Sequence, residues 1–274
     1  CLYIVPTPIG NLTDITLRAC EVLASVDVIA AEDTRHSRKL LNHLNIDTPM
    51  WAYHEHVDDG VTERLVAQLV GGKAIALISD AGTPLVSDPG FRLVRAAQDA
   101  QCPVVPLPGP CAAITALSAS GLPTDRFAFE GFLPAKAGPR AARLQALSQR
   151  DHTVVFYEAP HRILATLEAM LLEFGAEREV VLARELTKSF ETIRRAPLAV
   201  LLDWVRADSN QQRGEQVLLV GPASKSTVAV DPAADSLLMR LALELPPRKA
   251  AAIVAEVYGL KARQVYERLL ALKV

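Results

Sequence analysis

The sequence predicts an α/β protein with two α/β domains, at 1–108 and 109–222, followed by a small helix-turn-helix-like unit at 233–274. Three observations carry this reading. Short apolar runs of strand length alternate with amphipathic stretches of helical period along most of the chain. The alternation pauses at Pro108-Gly109-Pro110, which marks a junction between two sheets, and beyond Pro232 only helical periodicity remains.

The bulk numbers narrow the class. A chain of 274 residues is long enough for two domains that each bury a core. Half the residues are apolar and 22% are charged, which is globular rather than disordered composition. The net charge of −2 excludes a protein that coats nucleic acid through a general basic surface, while leaving room for a local basic groove. No run approaches the roughly 18 apolar residues of a membrane span, so no membrane partner is expected. Cys1, Cys20, Cys102 and Cys111 lack pair or zinc-ligand spacing, which suits reduced thiols in the cytoplasm and argues against a metal site. Because the first residue is Cys1 rather than methionine, the natural amino terminus is expected upstream.

In order, Leu2-Tyr3-Ile4-Val5 reads as a strand that stops at Pro6-Thr7-Pro8-Ile9-Gly10-Asn11-Leu12, since two prolines cannot continue it. A helix is expected from Asp14, capped by Thr13 or Asp14. Val28 to Ala31 is a strand ending in Glu32-Asp33-Thr34-Arg35-His36, with a helix from Arg38 to Leu44. Met50 to Tyr53 (strand), Val61 to Val70 (helix) and Ala74 to Ile78 (strand) lead into the Gly- and Pro-rich stretch Ser79 to Gly90. A helix to about Ala100 and the strand Pro103 to Leu107 complete a parallel-rich sheet with helices on both faces.

After the junction, a helix from Cys111 to Ser118 starts beside a Gly-Pro turn with amide donors to spare. Phe127 to Phe132 and Thr153 to Tyr157 are strands around a helix near Ala141 to Leu147. Glu158-Ala159-Pro160-His161-Arg162 opens an amphipathic helix to about Phe174. Val180 to Ala183 delivers Arg184-Glu185-Leu186-Thr187-Lys188, Phe190 to Arg195 pairs with a neighbour, Pro197 opens a helix to Arg206, and Glu215 to Val220 is the last strand. Gly221 to Pro232 reads as a linker. Helices at Leu237 to Leu245, Arg248 to Tyr258 and Ala262 to Leu272 follow, the last two joined by Gly259 and carrying Arg248, Lys249, Lys261, Arg263 and Arg268. They suit either a nucleic-acid reader or a packing appendage.

Strand ends are where an open α/β sheet places its ligands. Ser79-Asp80-Ala81-Gly82-Thr83-Pro84 and the following Ser87-Asp88-Pro89-Gly90 present bare backbone and two carboxylates, which equally well describes a capped turn. The sets Glu158/His161/Arg162 and Arg184/Glu185/Lys188, taken singly, are as ordinary as surface ion pairs. Walker, H-E-x-x-H, G-x-S-x-G and G-x-G-x-x-G motifs are absent, which removes the main support for kinase, metalloprotease, hydrolase and ordinary dinucleotide readings.

Together, Pro6 to Leu12, Ala31 to His36, Ser79 to Pro84, Pro108 to Ala112, Phe156 to Arg162 and Ala183 to Lys188 resemble the bacterial small-subunit ribosomal RNA cytidine 2′-O-ribose methyltransferases. These belong to the tetrapyrrole-methylase-like (class III) superfamily of S-adenosylmethionine (AdoMet) enzymes. The resemblance covers essentially the whole chain and implies AdoMet in a cleft between two α/β domains, a homodimer, and 16S ribosomal RNA within the assembled small subunit as substrate. It places cofactor contacts at Pro8, at Ser79, Asp80, Ala81, Gly82, Thr83 and Pro84, and at Pro108, Gly109, Pro110, Cys111 and Ala112. Further contacts fall on Tyr157, Glu158 and Ala159 and on Arg184, Glu185 and Leu186. Many superfamily members have a glycine-rich first loop; this chain keeps only Gly10 there, which fits the RNA branch and counts against a corrin or porphyrin substrate.

For the chemistry, Glu158, Glu185 and Lys188, with Asp80, are candidates by position to help deprotonate a ribose hydroxyl, and the sequence does not rank them. A basic rim for RNA is expected from Arg35, His36, Arg38, Lys39, Lys136 and Arg140, with Arg143, Lys188, Arg194 and Arg195. A small-molecule, tetrapyrrole-like methylase and a non-catalytic AdoMet- or RNA-binding module are the alternatives.

Overall fold

The computed structural model describes residues 1–54, 59–223 and 232–272, which form two compact units, Cys1–Pro222 and Ala223–Val274. Most of the expected linker, at 224–231, lies outside the described residues.

In the first unit, strands β1 (Leu2–Ile4), β2 (Val28–Ala31), β3 (Met50–Ala52), β4 (Ile75–Ile78) and β5 (Val104–Pro106) alternate with helices α1 (Leu17–Ser25), α2 (Thr34–His43), α3 (Asp59–Val70) and α4 (Phe91–Asp99). The strands form one sheet in the order β3-β2-β4-β1-β5, parallel throughout. Their near-continuous apolar runs follow from helices on both faces. Leu2, Ile4, Ile75 and Leu77 pack with Leu65, Leu69 and Leu93 of α3 and α4. Ile29, Ala76 and Ile78 pack with Leu23 of α1 and Leu41 of α2 on the other side.

Four helices start three or more residues from expectation: the helix expected near Ala141 begins at Ala137, the one expected at Leu237 begins at Pro232, and the first two helices of the chain differ as follows. The first helix begins at Leu17, not Asp14, because the Thr16 hydroxyl accepts from the Ala19 amide, while Asn11 caps a separate 3-10 turn over Leu12–Asp14. The second begins at Thr34, not Arg38, because Asp33 accepts from the amides of Arg35 and His36; those two residues are therefore helical.

The chain then runs through α5 (Ala112–Ala119), β6 (Phe127–Phe132), α6 (Ala137–Leu147), β7 (Thr153–Glu158), α7 (Ile163–Phe174), β8 (Glu179–Arg184), β9 (Thr192–Pro197), α8 (Leu198–Ala207) and β10 (Gln216–Val220). Their sheet is mixed, in the order β6-β7-β10-β8-β9; only β6 and β7 are parallel. A register shift between Phe129 and Gly131 bulges β6 at Glu130. Alternate residues face opposite ways along each strand. Val154, Phe156, Val180, Leu182 and Leu218 pack under α6, α7 and α8, whereas Val155, Val181, Ala183 and Val217 pack against α5, Ile9 and Leu186.

In the second unit, α9 (Pro232–Glu244), α10 (Pro247–Tyr258) and α11 (Ala262–Leu272) bury Leu238, Ala251, Val254 and Leu269 together. Gly259 ends α10 in the left-handed conformation, at φ 65°, where a residue with a Cβ is strained. Arg268 of α11 is held by Asp235 of α9, so this cation of the helical pair is spent on its own unit.

Candidate functional site

Strand order makes the site possible. Because β4, β1 and β5 are neighbours, the loops after them lie side by side. Thr7 and Gly82 exchange backbone hydrogen bonds of 2.8 and 2.9 Å, the Thr7 hydroxyl donates to the Ser79 carbonyl, and the Thr83 hydroxyl donates to the Pro110 carbonyl at 2.8 Å. The loop after β2 joins them: the Asp33 amide donates to Asp80, and the Asp80 amide donates to Glu32.

The first loop also reaches the second sheet. The Asn11 amide donates to the Thr187 hydroxyl at 3.0 Å. Beside it, a Cβ on Gly10 would lie 2.5 Å from Lys188 Cγ and 2.9 Å from the Leu186 carbonyl oxygen, so only glycine fits this crossing.

These loops, with the ends of β7 and β8 and the beginning of β10, enclose a cavity of about 310 Å3. That volume is at the lower end of the range for small-molecule sites. The first sheet supplies Ile9, Ala81, Gly82, Thr83 and Val86 to Asp88; the second supplies Phe132, Tyr157 to Pro160, Ala183, Leu186 and Glu215 to Val217, and Ala112 opens α5 between them. Phe129 and Phe132 meet the Tyr157 ring edge-on, at 4.9 and 5.7 Å, and Phe132 remains 54% exposed.

Of the expected cofactor contacts, Ala81, Gly82, Thr83, Ala112, Tyr157, Glu158, Ala159 and Leu186 line the cavity. Pro8, Ser79, Asp80, Pro84, Pro108, Gly109, Pro110, Cys111, Arg184 and Glu185 are not in its wall. Ser79, Asp80 and Pro110 instead hold the loops to one another through the bonds above.

The three expected catalytic groups are engaged elsewhere. Glu158 is 3% exposed; its carboxylate accepts from the Ala159 amide at 2.8 Å and the Thr166 hydroxyl at 2.5 Å, and it pairs with Arg162 at 3.2 Å. The Glu158 carboxylate lies on the α7 side of the sheet, where it meets Thr166, and its cross-strand neighbour Gln216 and the next, Arg184, share that side by the period-2 alternation. Arg184 donates to Gln211 and to the Phe190 carbonyl. Lys188 is shared by Glu185 and Glu215, each 2.9 Å from its Nζ. Burial alone would lower the Lys188 pKa, but the two carboxylates together raise it, so Lys188 is a cation and not a proton acceptor. Burial likewise works to raise Glu185, and the Glu215 amide with Lys188 outweighs it, leaving that carboxyl below its ordinary value.

Two cavity groups are perturbed. Burial first, then neighbouring Cys111 and Asp88, push the Tyr157 phenol up, so it stays protonated; its oxygen accepts from the Ala113 amide at 3.2 Å, using one of the amides α5 offers at its start. Burial, with Glu32 and Asp80 nearby, raises Asp88 to about 6 against the opposing Ser79 hydrogen bond. Gly90, not Asp88, stands at the N-cap of α4.

The expected basic rim divides. Arg35, His36, Arg38 and Lys39 are exposed on the first turns of α2, and Lys136 is exposed at the start of α6. Arg140 is 8% exposed and bonded to the Ala135 carbonyl, which removes it from any rim. Arg143 is paired with Glu130, Arg194 lies over the Trp204 ring at 4.5 Å, and Arg195 donates to the Gly121 carbonyl. Among the described residues, no group of acidic, His and Cys side chains could hold a metal ion, and no helix is long and apolar enough to cross a membrane.

The pattern of the tetrapyrrole (corrin/porphyrin) methylases matches residues 1–202, and that of the RsmI C-terminal HTH domain matches 228–273. The chain is 55% identical over 271 residues to ribosomal RNA small subunit methyltransferase I of Pseudomonas aeruginosa, covering 98% of this chain and 96% of that one. It is 56% identical over 267 residues to the protein of the same name from Vibrio cholerae, covering 97% and 93%. Among solved structures, the fold matches a uroporphyrin-III C-methyltransferase from Thermus thermophilus (24% identical, TM-score 0.57, 81% of this chain and 94% of that chain). It also matches a cobalt precorrin-4 methyltransferase (17% identical, TM-score 0.59, 80% and 94%). The chain therefore belongs to the tetrapyrrole (corrin/porphyrin) methylase family and to its ribosomal RNA small subunit methyltransferase I members.

Proposed function

We propose that this chain is an AdoMet-dependent methyltransferase acting on the 2′-oxygen of a cytidine ribose in 16S ribosomal RNA. The observation that carries the reading is convergence: loops far apart in sequence, after β1 and β4 and at the ends of β7 and β8, wall one cavity. The names of the relatives supply the substrate class.

The cavity fits the donor chemically. Its wall is mostly apolar, with main-chain corners at Ala81, Gly82 and Ala159 for polar edges, the Phe132 and Tyr157 rings for a flat heterocycle, and the Asp88 carboxylate to favour a cation. AdoMet, when bound, supplies a methyl group already activated on a sulfonium. The protein's part is then alignment and water exclusion. The braced loops perform it: Thr7, Thr83 and Asn11 fix the corners before any ligand arrives.

For RNA, the exposed cations of α2 and Lys136 offer phosphate contacts, and α10 and α11 are a second candidate contact surface, with Lys249 and Lys261. We further propose action on the assembled small subunit, a homodimer, and a cytoplasmic location. The division of residues 1–222 at Pro108-Gly109 into two lobes, with 233–274 as a third domain, is part of the same reading.

The experiment is methyl transfer from labelled AdoMet to three acceptors: small ribosomal subunits, protein-free 16S RNA and a porphyrinoid. Label in RNA, greatest with subunits, is expected. Label only in the porphyrinoid, or donor binding with no transfer, would replace the reading by one of the two alternatives.

A further inference from the structure

Phe132 would not face the cavity if β6 were regular. Phe129 and Phe132 are three residues apart, and on a strand of period two they would lie on opposite faces. Both nevertheless meet the Tyr157 ring, because the bulge at Glu130 sets one extra residue between them and turns the second ring into the cavity wall. The place of that ring depends on what holds the chain on either side of it.

Upstream, Arg143 of α6 holds the extra residue, Glu130, in an ion pair, and Ser87 Oγ lies 3.1 Å from where a Cβ on Gly131 would stand. Downstream the ladder cannot continue. Strand β6 is at the edge of its sheet, and Pro134 has no N–H to donate. The carbonyls of Leu133 and Pro134 are taken instead by one guanidinium, to which they are bonded at 2.6 and 3.3 Å: that of Arg162. Arg162 lies in the 3-10 turn after β7 and is not itself in the cavity wall. It is oriented in turn by the Glu158 carboxylate, which is 3.2 Å away, wholly buried, and accepts from Thr166 of α7 through its other oxygen. An arginine fork set between a buried carboxylate and two successive carbonyls fixes both the position and the direction of that backbone.

From this arrangement we infer that Arg162 is a positioning residue for donor binding: through the Leu133 and Pro134 carbonyls it holds Phe132 in the cavity wall. The inference rests on the proposed AdoMet site and deepens it. Without the guanidinium the end of β6 is loose, the ring is no longer preset, and the cost of ordering it falls on the ligand. The effect is the same for the donor before and during transfer, so it raises KM for AdoMet and leaves kcat in place.

The test is a cycle of binding measurements. Affinity for S-adenosylhomocysteine (AdoHcy), the donor without its methyl group, is read by calorimetry for the wild type, Arg162→Lys, Arg162→Gln, Phe132→Leu, and each Arg162 variant combined with Phe132→Leu. KM for AdoMet and kcat are read on small subunits. The lysine keeps a cation opposite Glu158 but lacks the fork, so it carries the cycle if the glutamine variant alone fails to fold. With Phe132 present, either Arg162 variant is expected to weaken AdoHcy binding by about three- to tenfold, KM rising in step and kcat staying within about twofold. In the Phe132→Leu background the same changes should cost less than about twofold, since the residue they act through is gone.

Equal losses in the two backgrounds, which a purely structural role gives, overturn the inference. So do Arg162 variants that bind AdoHcy as the wild type does, a kcat that falls while KM is unchanged, or failure of both Arg162 variants to fold. Phe132→Leu alters a ring that is 54% exposed, and an AdoHcy affinity unaltered in it overturns the inference by itself. A wild type that takes up no AdoHcy removes the proposed donor site and this inference together, whereas a wild type that binds it beside indifferent Arg162 variants removes the inference alone.

Discussion

Tyr157 and Glu158, consecutive on β7, serve opposite faces of the second sheet: the phenol oxygen accepts from the Ala113 amide at 3.2 Å beside the cavity, and the carboxylate accepts from the Thr166 hydroxyl at 2.5 Å under α7. One residue of strand thus separates the wall of the site from the clamp behind it. The clamp matters because it fixes the turn at Ala159 and Pro160, whose residues form the wall.

Glu158→Gln is expected to weaken the fold by about 1–3 kcal/mol, since an amide cannot match a carboxylate facing the Ala159 amide, Thr166 and Arg162. The folded variant should keep kcat and the acid limb of its pH profile. Denaturant unfolding alongside the rate profile checks this; loss of the limb with unaltered stability would make Glu158 a proton acceptor after all.

Gly10→Ala forces a methyl group against Lys188, Thr187 and the Leu186 carbonyl. The expected cost is about 1–3 kcal/mol of stability, with AdoHcy affinity falling by roughly tenfold or more as Leu186 is displaced from the wall. Gly138→Ala in α6, with nothing within 4 Å of the added Cβ, is the control: it should leave AdoHcy affinity unchanged, and because Pro139 follows it no helix-interior gain in stability is expected. Equal behaviour of the two variants in calorimetry and melting would mean that the crossing of the first loop onto the second sheet has no part in binding.

Asp88 also leaves a mark on stability. Its pKa is 3.8 unfolded and about 6 folded, so between those values the native state binds more protons and stability falls as pH rises. An asparagine feels no such penalty. The melting temperature of Asp88→Asn minus that of the wild type should therefore be more positive at pH 7.5 than at pH 3.5, the reverse of what removal of an ion-paired aspartate gives. Scans at the two pH values decide the sign.

Replacing Arg38 and Lys39 with glutamate should weaken RNA binding and reduce the slope of log affinity against log salt by roughly one for each phosphate no longer neutralised. Both side chains are exposed on α2, and the fold should not notice. Arg140→Gln, by contrast, should lower stability and leave the salt slope alone, because that guanidinium is buried against the Ala135 carbonyl. Filter binding across a salt series tells the two apart.

Much of the site was legible in the sequence because the first sheet is parallel. Every one of its strands ends on the same edge, so the Gly- and Pro-rich loops after β1, β4 and β5 announced their own neighbourhood. The second sheet hid more. Strand β10 runs antiparallel to β7 and β8, so its beginning, Glu215 to Val217, reaches the cavity, and a rule that looks only at strand ends passes over it. Phe132 enters through a bulge that no local pattern marks. Alternation could have separated Tyr157 and Ala183 from Glu158 and Arg184, since Val155 and Val181 share the inner face with the first pair. The burial of Arg140 depends on how α6 lies on the sheet, which charge counting does not see.

In the proposed function the cavity between the two sheets aligns a methyl donor with a ribose hydroxyl of ribosomal RNA. Mass analysis of nucleosides from small subunits treated with this protein and isotopically labelled AdoMet tests it most directly. A labelled methyl group on the ribose of cytidine is the predicted result; label on a base, or none in RNA that the protein demonstrably binds, would contradict it.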